Sequence, residues 1–271
     1  MSKIERISSY EEVFKLMSEI RNLRKGYVSN FYPDEFKIGI WISRDILGVI
    51  KMEQSVIFLV EKEGFTCLYY CATGYPELQK AWQLLPTDEK YVVDIVARGI
   101  DEIADSFLKQ NKFTKYSALY RMSKVPEISD EIYVPGSCLR DANYDDIPVI
   151  QDFFEKNFDK YIEQIPVEEE LTQWIDLGHI IVSVIDNNLA GFLIYDYSPS
   201  SWYLRYWFVD SKYREKKVGA SLIKEGMHRG AAARRLMFWV IETNENAIKR
   251  YEHYGYKREN MTDTIYTNII N

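Results

Sequence analysis

Residues 205–256 carry the side chains whose types and spacing suit work on an anionic ligand. An aromatic run, Tyr206-Trp207-Phe208-Val209, passes into Asp210-Ser211-Lys212-Tyr213-Arg214-Glu215-Lys216-Lys217-Val218-Gly219-Ala220. The pattern predicts a strand, a basic turn and a helix start, because Val218, Leu222, Ile223 and Met227 then share one helical face. The first amides of a helix have no intrahelical partner and lie at the positive end of its dipole. Ringed by basic residues, such a start is a cradle for a phosphate or pyrophosphate. Gly219 and Ala220 are small enough to let a ligand approach the backbone. Residues 205–235 hold nine Lys or Arg against three Asp or Glu, a local +6 that leaves −13 on the rest of a chain of net charge −7. A basic island in an acidic chain suits an anionic cofactor and argues against nucleic acid as the main partner. The plainer reading of the same charges is a solvated helix face.

A second segment follows. Leu236-Met237-Phe238-Trp239-Val240-Ile241 is a continuous apolar run, as in a strand covered on both faces. Thr243-Asn244-Glu245-Asn246-Ala247 is a helix-start signal, the short helix carries Tyr251, and Gly255 stops it before a strand opening at Tyr256.

Arg214-x-x-Lys217-x-Gly219 resembles the Arg/Gln-x-x-Gly-x-Gly/Ala loop of the GNAT acyltransferase superfamily, which holds the acetyl-CoA pyrophosphate. Asn244-x-x-Ala247-x-x-x-Tyr251-x-x-x-Gly255-Tyr256 resembles the second motif of that family. The two stand in the family's order, each after a strand, and the resemblance is best over residues 137–271. It implies acetyl-CoA as cosubstrate, held by Arg214, Glu215, Lys216, Lys217, Val218, Gly219 and Ala220, with Asn244 and Ala247 as further contacts from the second motif. It also implies that backbone amides at Phe208 and Val209 face the pantetheine arm and the thioester oxygen, where donors aimed at developing charge raise the rate. Lys217 departs from the pattern, which has glycine there; its side chain either crowds the pyrophosphate or binds it.

The resemblance places Tyr251 as the general acid for the leaving thiolate. A tyrosine, at about 10, is mostly protonated where a thiol, at about 8.5, is leaving. The plainer reading is a core tyrosine that anchors a short helix. A general base is harder to find. The strand before the cradle, Trp202-Tyr203-Leu204-Arg205-Tyr206-Trp207, has no carboxylate; the nearest candidate is Asp196 on the preceding strand, which reads more plainly as a solvated strand-end aspartate, and a water chain or no dedicated base is the alternative. Tyr195, Tyr197, Trp202, Tyr203, Tyr206 and Trp207 either line an acceptor pocket that holds an amine by cation–π contact or pack core and edges. The expected activity is direct N-acetylation of a small-molecule or peptide amine. The alternatives are transfer of another acyl group and a CoA-binding regulator without turnover.

The elements that must position these residues occupy the whole chain of 271 residues, 46% hydrophobic and 28% charged, enough for one large or two small cores. The two halves look alike. Each has an opening helix, a Trp-Ile step (Trp41-Ile42 and Trp174-Ile175), a hairpin (turns at Glu63-Gly64 and Asn187-Asn188) and a closing strand-helix-strand. Aligning the endings sets Asp101 against Asn244, Ala104 against Ala247, Leu108 against Tyr251 and Phe113 against Tyr256. We therefore expect α/β tandem GNAT-like domains, each a mixed, mostly antiparallel sheet flanked by helices. Residues 1–130 form a degenerate copy, residues 137–271 bind the cofactor, and Pro126 to residue 137 link them. Ordinary α/β recurrence without shared ancestry is the alternative. Cys67 and Cys71 share a strand face and read as core packing, Cys138 stands alone, and the odd count of three suits a reducing compartment. His179, His228 and His253 lack ligand spacing, so no metal is expected. The polar opening and short apolar runs predict no leader, no membrane span and a cytoplasmic protein.

Overall fold

The computed structural model describes residues 4–126, 136 and 138–269. It divides into two compact units: unit 1, Met1–Ala118 with Met261–Asn271, and unit 2, Leu119–Asn260. The expected boundaries at 130 and 137 fall within or beside stretches outside the described residues, as does most of the expected linker. The units themselves divide the chain elsewhere. Unit 2 begins at Leu119, and the last eleven residues group with unit 1.

Unit 1 runs β1 (Glu5–Arg6), α1 (Tyr10–Asn22), β2 (Val28–Ser29), α2 (Glu35–Ser43), β3 (Leu47–Lys51), β4 (Ser55–Lys62), β5 (Phe65–Ala72), α3 (Tyr75–Trp82), β6 (Tyr91–Ala97), α4 (Glu102–Gln110) and the opening of β7 (Thr114–Lys124). Ser9 caps α1 by accepting the Glu12 amide at 3.3 Å, and Val13, Met17 and Ile20 bury its inner face. The apolar stretch 38–50 resolves into the end of α2 and β3, parted at Asp45, whose φ is +55°. The β4–β5 hairpin turns on Gly64 at φ +82°. Cys67 and Cys71 pack into one apolar cluster, as their parity predicts, and burial pushes each thiol up to about 12. Strands β1, β3, β4 and β5 are joined antiparallel in that order, β6 joins β5 in parallel, and residues 262–267 of the final strand close the sheet against β6.

Unit 2 runs β8 (Leu139–Asp141), α5 (Ile147–Asn157), α6 (Glu168–Asp176), β9 (Ile180–Ile185), β10 (Asn188–Ser198), β11 (Ser201–Val209), α7 (Val218–Arg229), β12 (Leu236–Ile241), α8 (Glu245–His253) and the opening of β13 (Lys257–Thr267). The sheet order is β8, β9, β10, β11, β12, then residues 119–124 of β7, antiparallel throughout except for β11 with β12. The fold is thus mixed α/β with largely antiparallel sheets, and the same element order occurs twice, save that β2 has no counterpart among the described residues of unit 2. One apolar cluster lies under α7 and α8, another under α5 and α6. The charged Glu168–Glu170 stretch opens α6, a helix the apolar periodicity did not announce. Three carboxylates there meet the positive end of the helix, Glu170 accepts the Val167 amide at 3.1 Å, and Leu171 and Trp174 are buried. The turn at Asp186 and Asn187, both with positive φ, lies one residue earlier than expected. In β12 burial alternates, so this strand is half-buried rather than covered on both faces.

Candidate active site

The site begins where two strands part. Among the described residues β11 and β12 pair only at Trp202↔Leu236 and Tyr203↔Met237, while β11 stays paired to β10 as far as Val209↔Gly191. Past Tyr203 one edge of β11 is therefore left by β12, up to Phe208 and Val209. Arg205 marks the departure. It is an extra residue in the ladder, since Tyr206 faces Ile194 and Leu204 faces Tyr195. A bulge increases local twist and turns the strand away from its neighbour.

After Val209 the chain makes a 3-10 turn over Ser211–Lys216 and enters α7. Lys217 is the helix cap, at φ 58° and ψ 17°, in the left-handed region that glycine takes without strain. The family's glycine at this place meets a conformational need, and the lysine meets it at a cost, with its side chain exposed. Arg214, Glu215 and Lys216 are exposed as well, and Lys216 lies 3.9 Å from Asp186 and over the Tyr213 ring. Intrahelical bonding starts with Ser221, whose amide donates to the Lys217 carbonyl at 3.1 Å. The amides of Val218, Gly219 and Ala220 form the helix's open first turn. A Cβ on Gly219 would stand 3.2 Å from Trp207 and 3.3 Å from Val209, so the small residue sets α7 close against β11.

Trp207 joins the cradle to Tyr251. Its ring lies under Gly219 and, on α8, 5.6 Å from the Tyr251 ring, which also packs at 4.0 Å on Phe238. Tyr251 is 9% exposed, and burial pushes its hydroxyl well above the usual tyrosine value, which keeps the proton on it. Asn244 caps α8, its side chain accepting the Ala247 amide at 3.2 Å, so this part of the second motif builds the helix that carries Tyr251.

The opposite face of β11 is different. Asp196 accepts the Trp174 indole N–H at 2.8 Å, and its other oxygen accepts from Arg205 Nε. The carboxylate expected as the base is thus already engaged by two donors as the anchor of the bulge. Arg205 also stacks over Tyr203 at 4.5 Å. Of the other aromatics, Tyr195 and Trp202 are core, Tyr197 is exposed, and Tyr206 packs among Phe154, Phe158 and Trp174. The Tyr206 hydroxyl donates to the Gln164 carbonyl in the segment between α5 and α6. Beside Gln164, Glu163 accepts the Asp159 amide at 3.0 Å through Oε2, and burial lifts its carboxyl to about 7. It is the Gln164 carbonyl, one residue on, that meets β11 through Tyr206. No spacing or motif signals Glu163 in the sequence; its burial comes from tertiary packing alone.

A parted strand pair, a basic helix start and a buried tyrosine thus stand around Trp207. Residues 147–256 match the family described as acetyltransferase (GNAT), so the chain carries a domain of that family. The whole chain is similar in fold to a tandem GNAT protein from the clavulanic acid biosynthesis pathway, with TM-score 0.63, 10% identity and 99% of each chain covered. It is also similar to a GCN5-related N-acetyltransferase from Sphaerobacter thermophilus, with TM-score 0.57, 12% identity, and 94% of this chain and 90% of that one covered. A GNAT-family acetyltransferase from Colwellia psychrerythraea gives TM-score 0.56 at 12% identity, covering 98% of each chain. At these identities the likeness is one of fold. No curated protein matches the sequence significantly.

Proposed function

We propose that unit 2 transfers an acetyl group from acetyl-CoA to an amine of a small molecule or peptide. The observation that carries this reading is the parting of β11 from β12 beside the basic start of α7. Acetyl-CoA supplies an activated acyl carbon and a thiolate leaving group. The amides of Val218, Gly219 and Ala220 hold the pyrophosphate, with charge from Arg214, Lys216 and Lys217. The vacated edge at Phe208 and Val209 offers backbone groups to the pantetheine arm. Tyr251 gives its proton to the departing sulfur and regains one from solvent. Glu163 takes the proton from the attacking amine, the role for which Asp196, tied to Trp174 and Arg205, is poorly placed. No helix among the described residues is long and apolar enough to cross a membrane, and we place the reaction in the cytoplasm.

The test is free-thiol release with acetyl-CoA over a panel of amines, peptides and amino sugars. Turnover with a productive acceptor, rising with pH through about 7 and flattened in Glu163→Gln, supports the reading. CoA binding with no thiol release from any acceptor identifies a regulator instead.

A further inference from the structure

Unit 1 contains a cavity of about 270 Å³ between β2, β5, β6 and the start of α4. This is slightly below the range of about 300–1,000 Å³ typical of drug-sized ligands, so it fits a small metabolite. Its walls are held in place. The Ser29 hydroxyl donates to the Tyr70 carbonyl at 2.8 Å and accepts the Phe31 amide at 3.1 Å. The Asn30 amide group donates to the Leu68 and Asp94 carbonyls and accepts the Tyr70 amide. A cavity framed by such bonds is formed before any ligand arrives.

The lining has one sign of charge. Asp101 is its ionisable carboxylate, and no lysine or arginine is among the lining residues. Oδ1 of Asp101 is fixed by the amides of Ile103 at 3.1 Å and Ala104 at 2.9 Å, which sets the carboxylate at the cavity wall. Around it stand the aromatic rings of Tyr27, Tyr70 and Tyr75 with their hydroxyls. The Tyr27 ring already carries one cation, the Arg21 guanidinium at 4.8 Å, so electron-rich faces here do attract positive charge. Ile95 and Ile103 supply apolar wall. A carboxylate, tyrosine rings and hydroxyls around a small, open and largely polar recess, with Asp101 and Ile103 exposed at its rim, match an organic cation and disfavour an anion such as CoA.

We propose that this cavity binds a small organic ammonium compound, its cationic head at Asp101 and the tyrosines and its carbon skeleton against the isoleucines. The proposal does not depend on the activity of unit 2. The test is calorimetry on the full chain with phenethylamine, histamine and choline, and with 2-phenylethanol and phenylacetate as the neutral and anionic counterparts of the first. At least one cation is expected to bind, and for phenethylamine the neutral and anionic skeletons bind at least tenfold more weakly. Asp101→Asn keeps the helix cap, since asparagine caps as well as aspartate. It is expected to lower cation affinity at least tenfold while leaving the melting temperature of the free protein in place. Tyr75→Phe is expected to lower it severalfold. Absence of binding by all three cations, equal binding of the neutral skeleton, or undiminished affinity in a folded Asp101→Asn variant each overturns the proposal.

Discussion

The two units are built alike and differ where their parallel strands part. In each, one parallel strand pair parts after two residue pairs, β5 from β6 past Cys67↔Val92 and β11 from β12 past Tyr203↔Met237. In each, a short helix follows, capped by Asp101 or Asn244 through the amide three residues on. The gaps are filled differently. In unit 1, β2 pairs with Cys71 and Ala72, on the edge of β5 that β6 leaves, and Asn30 bridges β5 to the Asp94 carbonyl of β6. Allowing for the Arg205 bulge, Cys71 and Ala72 stand where unit 2 has Phe208 and Val209. The connecting loop differs too: β5 reaches α3 through Thr73 and Gly74, while residues 210–217 lie between β11 and α7. Parting strands leave backbone groups that need partners. Unit 1 fills that edge with its own chain, and in unit 2 no strand among the described residues pairs with it past Tyr203.

The sharpest break of this comparison is at Tyr251, whose counterpart in unit 1 is Leu108. Tyr251→Phe keeps the ring against Phe238 and Trp207, so CoA affinity and melting temperature are expected to hold while turnover falls on the order of 10²-fold. Unchanged turnover in the folded variant makes solvent the proton donor. Next is the plug. Asn30→Ala removes three hydrogen bonds inside unit 1 and is expected to cost about 3 kcal/mol of stability in denaturant titration, because buried partners are left unsatisfied. Calorimetry is expected to give one CoA per chain in both proteins, since unplugging the gap supplies no basic loop; two equivalent sites in the wild type break the comparison outright.

Glu163 sharpens it through pH. Its carboxyl moves from 4.5 to about 7 on burial, so across that window the folded protein keeps a proton that the unfolded chain has released. The stability it contributes therefore falls as pH rises from about 4.5 to about 7 and is level above. Glu163→Gln is expected to match the wild type at pH 4 and exceed it at pH 8 by about 2 kcal/mol after allowance for partial exposure. A pH-independent difference assigns the effect to packing. The smallest effect is at Lys217. Lys217→Gly relieves the left-handed cap and is expected to raise stability by at most about 1 kcal/mol. It is also expected to weaken CoA binding a few-fold and flatten its salt dependence, whereas unchanged affinity means the ammonium faces solvent.

Local patterns in the sequence carried much of this structure. The alternation and turn residues located both hairpins, β12 has the bounds its apolar run suggests, and the 143-residue offset between Asp101 and Asn244 holds for the whole of α4 and α8. The parting of β11 beside Phe208 and Val209 was implied by the family resemblance and not by the residues themselves, because it depends on where pairing stops rather than on residue type. Nor was β2 legible, two residues long in a stretch that reads as loop. Asp196 looked free because its partners, Trp174 and Arg205, come from α6 and from a bulge that no local signal marks. Glu163 carries no local signal, because packing half-buries it only in the fold.

Each unit closes its sheet with a strand from the other half of the chain, and this sets a schedule for biosynthesis. The edge of β6 at Val92–Ala97 waits for residues 262–267, roughly 165 residues further along the message. At bacterial or eukaryotic translation speeds that is an interval on the order of ten seconds. During it an apolar edge, with Val92, Val93 and Ile95, hangs from the ribosome as a template for strand pairing with a neighbouring nascent chain. A gene cut within 126–137 would make the wait permanent for the first fragment and deny the second its own last strand, so each half needs the other to be translated whole.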